Sequence, residues 1–422
     1  MIGRALILST LLRALSAAVL ILVLSGAARA DQPAPGFVRV EGRNFVTPDG
    51  KPILLKGISL GNWLVPEGYM WKFKVALSPK LIGRAVERVL GPQEAEVFWR
   101  RFREDYVTEA DIRFIKAAGF NTIRVPLHYA LFTTDARPGA EPRFEGEGYR
   151  LLDRVIGWAK SAGLYVIVDL HAAPGGQTGI NQDDSPGYPL TFYVPAHRRL
   201  TVALWRHLAQ RYRDETAILG WDLLNEPISP YHDMDFLNPR LEPFYREIIT
   251  AIRAVDQNHI AIMAGGQWST NFTVFGAPFA PNLAYTYHKF WAALTRDQVQ
   301  PYVDFSNRWN VPIFLGETGE LTDDWNRAYR ELNEAHNISW AFWTYKNLDS
   351  SSTVVSIPRP DGWDDVIAMA DTPATARPIP RERAIAIFEQ YLAGLNLEKA
   401  NINWSYLASL GLADGPAALK QP

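Results

Sequence analysis

Short apolar runs alternate with longer stretches in which apolar positions recur every three or four residues, from about residue 37 to residue 395. The first kind of run suits strands buried on both faces, and the second suits amphipathic helices. The strand-like runs are 53–59, 121–127, 165–170, 218–227, 259–264, 282–288, 311–317 and 338–345. The helical stretches are 94–118, 147–162, 196–213, 242–256, 297–309, 325–336, 363–370 and 381–395, and the first two stop at Gly119 and Gly163. Ahead of them, 37–40 and 44–47 read as short strands and Pro48-Asp-Gly50 as a turn signal, which together predict a short hairpin. A long polar loop is expected at 178–195.

Eight strands alternating with helices predict an α/β fold, a (β/α)8 TIM barrel closed at its bottom by the N-terminal hairpin. An open doubly wound sheet is the alternative, but no glycine-rich phosphate fingerprint follows the first strand. In a barrel of this kind the active site lies at the C-terminal strand ends. Those ends carry Arg124, His171, Asn225, Glu226, Gln267, Trp268, His288, Glu317 and Trp343, a polar and aromatic set. Two of the runs finish in a glutamate: Ile218-Leu-Gly-Trp-Asp-Leu-Leu-Asn-Glu226-Pro227 and Val311-Pro-Ile-Phe-Leu-Gly-Glu317. Burying a carboxylate at a strand end is costly unless it faces a cleft. Two such ends far apart in sequence suggest paired carboxyls, the equipment of glycoside hydrolysis.

Composition narrows the setting. The chain of 422 residues is 47% apolar and 21% charged with a net charge of −2, which implies neither a nucleic-acid nor an anionic-membrane partner. With no cysteine there is no thiol nucleophile, disulfide framework or zinc ribbon. Arg4 and Arg13, an apolar stretch at 14–24 and the small-x-small pattern Ala28-Arg29-Ala30 predict an export signal over 1–30, with an uncleaved anchor as the other reading. The expected domain layout is then a leader at 31–36, a barrel at 37–400 and a tail at 401–422, in a secreted or periplasmic monomer.

Several motifs together resemble glycoside hydrolase family 5, in the clan of retaining β-glycosidases. They are Asn225-Glu226-Pro227, Gly316-Glu317, Asn121-Thr-Ile-Arg124, Asp169-Leu-His171 and Phe342-Trp343. Asp169-Leu-His-Ala-Ala-Pro-Gly-Gly-Gln177 and Trp63-Leu-Val-Pro-Glu67-Gly-Tyr69 also resemble the exo-β-1,3-glucanase branch. The resemblance implies Glu226 as acid/base and Glu317 as nucleophile, with no metal or cofactor, acting on a β-glucan oligo- or polysaccharide. It implies that Arg124 lies near the nucleophile, that His171 and Asn225 contact sugar hydroxyls, and that Trp343 stacks under the reacting ring. Glu67 resembles a glutamate that holds the terminal sugar. His288, and Trp268 as an aromatic platform, complete the expected substrate-binding set. One departure stands out. Where the family carries His-x-Tyr, this chain has His288-Lys289-Phe290, and Tyr287 is a candidate to replace the missing hydroxyl.

Other readings stay open at this point. Arg124 also suits a structural ion pair and His171 a satisfied core histidine. Trp63, Trp71, Trp268 and Trp291 suit core or cleft equally. Glu320 reads as a solvated or capping residue, and Asp183-Asp184 and His232-Asp233-Met-Asp235 as polar loops rather than metal sites. Arg124 is expected to lower the pKa of Glu317, and burial beside Glu317 to raise that of Glu226. Among glucanases, a cellulase-type β-1,4-endoglucanase and an exo-β-1,3-glucanase or β-glucosidase-like enzyme both stay open, and the rivals to a glucanase are a non-catalytic carbohydrate-binding barrel and a metal-dependent hydrolase.

Overall fold

The computed structural model describes residues 36–134 and 142–417. The expected export signal at 1–30 lies outside them, as does the leader apart from Gly36. No helix among the described residues is long and apolar enough to cross a membrane.

Three short strands, β1 (Arg39–Glu41), β2 (Asn44–Val46) and β3 (Pro52–Ile53), form an antiparallel sheet. Eight parallel strands then close into a barrel: β4 (Lys56–Ser59), β5 (Thr122–His128), β6 (Tyr165–Ala172), β7 (Ile218–Asp222), β8 (Ile260–Ala264), β9 (Leu283–His288), β10 (Ile313–Glu317) and β11 (Ser339–Phe342). They follow one another around the barrel in chain order, and β11 pairs with β4 to close it. This is the expected fold. Ile167, Leu219, Ile262, Ala284 and Phe314 fill the barrel interior, where Phe45 and Val38 of the hairpin region pack against them. The other strand faces pack against the helices in a larger apolar cluster.

The differences from expectation have local causes. The stretch 94–118 is two helices, Pro92–Asp105 and Glu109–Ala118, because Thr108 starts the second with a capping box closed by Asp111. Helix Pro79–Leu90, capped by Ser78, has no expected counterpart. Helix Met234–Arg253 begins earlier than expected and contains Pro239 and Pro243, residues that ordinarily mark helix boundaries. Strand β7 stops at Asp222, so Glu226 stands in the following loop rather than at the strand's last position. The 401–422 segment is not wholly a tail. Asn401–Ile402 pairs with Val355–Ile357, and helix Trp404–Ser409 buries Tyr406 and Leu407.

One ion pair ties the segment after the barrel's last strand to helix Glu109–Ala118. Lys346 follows β11 and is fully buried, with Nζ 2.7 Å from Asp111 and donating to the carbonyls of Tyr106 (2.8 Å) and Leu395 (2.9 Å). Tyr345 donates to the same Asp111 oxygen at 2.8 Å. Lys346→Met would leave Asp111 buried without its countercharge. We expect a loss of about 3–5 kcal/mol in urea unfolding. A loss below about 1 kcal/mol would show that the pair is not structural.

Candidate active site

The site is built on strand ends whose faces are set by register. Along β6, Ile167, Asp169 and His171 share the inner face, while Val166, Val168 and Leu170 face the helices. Pro126, Asp169 and Asp222 lie level on three adjacent strands. Arg124 sits on the inner face of β5, just below that level. On β9 the inner positions are Ala284, Thr286 and His288. Strict alternation counted from inward-facing Leu219 would turn Asp222 outward, and counted from outward-facing Leu315 it would turn Glu317 outward. A register shift in β7 opposite Val166–Ile167 and another in β10 between Leu315 and Glu317 reset the face of each strand.

Arg124 has no exposed surface and donates through every arm. Nε bonds Asp222 at 2.9 Å, one Nη bonds Glu317, and the other reaches Asn225 Oδ1 at 2.9 Å and Asp169 at 3.0 Å. His171 Nδ1 donates to Asp169 at 2.8 Å, and its Nε2 lies 3.6 Å from Glu67. His288 Nδ1 stands between the two glutamates, 3.1 Å from Glu226 Oε1 and 3.6 Å from Glu317 Oε2. One oxygen of each glutamate and that ring nitrogen lie within 4.8 Å of one another. Glu226 has φ +45° and accepts from Gln182 Nε2 at 2.8 Å. Gln177 staples its loop, donating to the carbonyls of His171 (2.7 Å) and Asn225 (2.8 Å).

The electrostatics follow from burial and pairing. Burial raises the pKa of Glu226, as expected. Burial raises Glu317 too, and outweighs the opposing charges of Arg124 and His171. That corrects the expected depression. The single guanidinium is shared among Asp169, Asp222 and Glu317, so none of them has its full charge. Asp222 is pushed up to about 7 by the same burial. Burial alone would lower His171, but the charge of Asp169 and the bond to it hold that imidazole well above its usual pKa. For His288 burial outweighs the opposing charge of Glu317 and takes it down to about 4.

A cavity of about 540 Å³ opens over these groups. All of the expected site residues line it except Arg124, which lies beneath. Trp343 forms part of the wall, parallel to His171 at 5.4 Å, with its Nε1 donating to Tyr69 at 2.6 Å. Gly61 permits this, since a Cβ there would stand 2.5 Å from the Trp343 ring. Trp268 and Trp291 line the cavity, whereas Trp63 and Trp71 are core. Gln267 is spent on Asn238 and Asn271.

Tyr287 does not supply the missing hydroxyl. Its side chain donates outward to Asn333 and stacks on Tyr302, while Phe290 lines the cavity. Glu320, read as solvated, is partly buried in the cavity wall. Gln182 and Ile180 are further lining residues that no motif marked, while Tyr69 and Lys289 stood inside quoted motifs without a role. Only their place in loops after barrel strands hinted at them. Asp183 is consumed by the amides of Gln177, Thr178 and Ser185, and Asp184 pairs with His128. His232 bonds Gly179, and Asp233 caps a helix.

Two donor sets are close enough to hold a cation: Asp169, His171 and Glu317, and Glu226, His288 and Glu317. Arg124 already lies against two oxygens of the first set, so a metal there would face a buried positive charge.

Residues 87–349 match the family model Cellulase (glycosyl hydrolase family 5). The chain belongs to glycosyl hydrolase family 5. It is thus an O-glycosyl hydrolase. It is 30% identical over 351 residues to a beta-xylosidase of Phanerodontia chrysosporium, covering 74% of this chain and 71% of that one. It is 26% identical over 301 residues to a glucan 1,3-beta-glucosidase of Lachancea kluyveri, covering 65% of each. Two solved structures share the fold. One is the rutinosidase from Aspergillus niger, with TM-score 0.56 and 16% identity over 81% of this chain and 98% of that one. The other is Thermotoga maritima Cel5A with cellobiose, with TM-score 0.51 and 19% identity over 75% and 97%.

In this family 5 chain the two cavity histidines should differ in charge. Nitrogen-15 imidazole NMR between pH 5 and 8 should show His288 neutral throughout and His171 as an imidazolium at the acid end. A His288 ring that takes up a proton near pH 6.5 would contradict the arrangement.

Proposed function

We propose that this enzyme is an exported retaining β-glycosidase that hydrolyses β-linked glucans by double displacement, working from a chain end. The observation that carries the reading is the spacing of Glu226 and Glu317, with an oxygen of each within 4.8 Å. Retaining catalysis uses carboxyls about 5–5.5 Å apart, whereas inversion needs about 6.5–9.5 Å to admit a water between them.

The surroundings divide the roles. Glu317 is bonded to a guanidinium, which favours its anion over that of Glu226. Among the described residues, the hydrogen-bond partners of Glu226 are the Gln182 amide and a neutral His288, so the proton resides on Glu226. Glu317 then attacks the anomeric carbon as Glu226 protonates the departing oxygen. Once Glu317 is esterified its charge is gone, and Glu226 serves as base for the incoming water. His288, neutral and between the two, contributes a dipole without competing for the proton. Asn225, oriented by Arg124, is placed for a hydroxyl beside the reacting carbon.

The circular order of the strands gives the cleft a direction. The leaving group lies on the side of its proton donor, Glu226, towards Gln182, Ile180, Trp268, Phe290 and Trp291. The retained sugar lies on the other side, against Trp343, His171, Glu67, Tyr69 and Glu320. A polar wall on that side suits the hydroxyls of a terminal sugar, and the aromatic mouth suits the next sugar's apolar face. The names of the beta-xylosidase and glucan 1,3-beta-glucosidase relatives favour the same reading. The charge and hydropathy pattern of 1–30 supports export, and amino-terminal sequencing of the exported chain should begin at Asp31.

The roles separate in a rescue experiment. With Glu226→Ala, glycosides of poor leaving groups should lose about 10²–10⁴-fold in kcat, and dinitrophenyl glycosides much less. Added azide should then yield the β-glycosyl azide. With Glu317→Ala all turnover should stop, and azide with an activated β-glycoside is not expected to give the β product. Equal turnover by wild type and Glu317→Ala, or proton NMR showing the α-anomer released first by wild type, would reject the mechanism. Digestion of laminarin, cellulose and mixed-linkage glucan should release single sugars first. Early release of long oligosaccharides would reject chain-end action.

A further inference from the structure

Glu320 takes no part in the chemistry above, yet the fold places its carboxyl in the cavity. It follows β10 by three residues, directly after Gly319, and adopts φ +61°, a conformation that residues with a side chain occupy at a cost. Its immediate electrostatic neighbours are Tyr69, Glu67, Glu317 and Lys72, and burial drives its pKa up to about 7. A residue held against both backbone preference and desolvation needs a return that helix capping or surface solubility does not provide.

The hydrogen bonds show what is left over. The Trp343 indole donates to the Tyr69 oxygen, and the Tyr69 phenol stands against the Glu320 carboxyl. This chain fixes Glu320 against the aromatic floor but uses only part of the capacity of its two oxygens. Glu67 stands beside it, and its buried Oε1 faces His171 Nε2 at 3.6 Å, too long for a full hydrogen bond, with no other hydrogen-bond partner among the described residues. Two carboxyls with unspent acceptor positions therefore share the wall opposite Glu226. Carboxylate pairs of this kind bind vicinal hydroxyls, because each oxygen accepts from a separate O–H.

We propose that Glu320 is a specificity-determining residue that, with Glu67, binds hydroxyls of the retained sugar and so admits it only as an unsubstituted chain end. The inference rests on the chain-end reading above, and it assigns part of that selectivity to one side chain. Tyr69 acts as a positioning residue for Glu320.

The test is a double-mutant cycle between protein and substrate. Aryl β-glucoside, its 3-, 4- and 6-deoxy analogues and the aryl β-xyloside would be assayed with wild type, Glu320→Gln, Glu320→Ala and Tyr69→Phe. On the parent substrate above pH 8, where Glu320 is mostly ionised, Glu320→Ala should lower kcat/KM about ten- to a hundredfold, mainly through KM, as expected for a hydrogen bond to a charged group. On the analogue lacking the partner hydroxyl the same substitution should cost little more. Tyr69→Phe should show the same substrate dependence in weaker form, and Glu320→Gln should retain part of the binding. Equal losses on every analogue would overturn the proposal while leaving the catalytic reading intact. A wild type inactive on all the aryl β-glycosides would remove both. Tyr69→Phe provides the reading if the Glu320 variants fail to fold.

Discussion

Arg124 lies at the centre of the barrel's catalytic end, with no contact to solvent and with Asp169, Asp222, Glu317 and Asn225 around it. A buried guanidinium is unfavourable unless each of its donors is satisfied, and buried carboxylates are unfavourable without a countercharge. Each group is therefore tolerable only because the others are in place. The consequence is positional. Three strands must hold their side chains level, and the loop carrying Asn225 and Glu226 must return to the same point. The backbone serves this requirement directly, since the Asn225 amide donates to the Leu170 carbonyl at 3.0 Å.

The same constraint shapes the electrostatics. One guanidinium shared among three carboxyls does not offset the burial of all of them. Asp222 moves up to about 7, and Glu317 stays above its ordinary range despite its direct bond to the guanidinium. The two histidines diverge for the same kind of reason. His171 has a carboxylate at 2.8 Å on one nitrogen and Glu67 facing the other, whereas the Nε2 of His288 is buried with no partner among the described residues. Chemically similar side chains, both at strand ends, thus take opposite charge states through their partners alone. Glu226, contacted by an amide and a neutral ring, is left as the place where a proton is most easily kept.

Around this centre the cavity is asymmetric. The loops after β4 and β10 and the end of β11 bring carboxyls, a phenol and an indole to one side. The loops after β6, β8 and β9 bring Ile180, Trp268, Phe290 and Trp291 to the other. Because a parallel barrel preserves chain order around its rim, this division follows from which loops carry which residues. Loss of the family's tyrosine to Phe290 fits the apolar side, where the position now adds surface rather than a hydrogen bond.

The sequence alone determined the fold class and most of the strand set, because runs buried on both faces and capped helical stretches are local patterns that burial in a parallel barrel requires. It also marked Glu226, Glu317, Arg124, His171, His288 and Trp343, since a polar residue ending an apolar run has few cheaper explanations than a cleft. It carried the Thr108 capping box that splits one expected helix, although apolar periodicity ran through it. What it did not carry was anything set by register or by contacts between distant loops. The shifts in β7 and β10 decide which way Asp222 and Glu317 face, and they arise from pairing with neighbouring strands. Glu320, Gln182 and the outward turn of Tyr287 depend on loops meeting across the barrel mouth. Strand ends can be read from one segment at a time. The direction of a side chain and the charge it holds were decided only by the tertiary structure, because both depend on every other group brought to the same small volume.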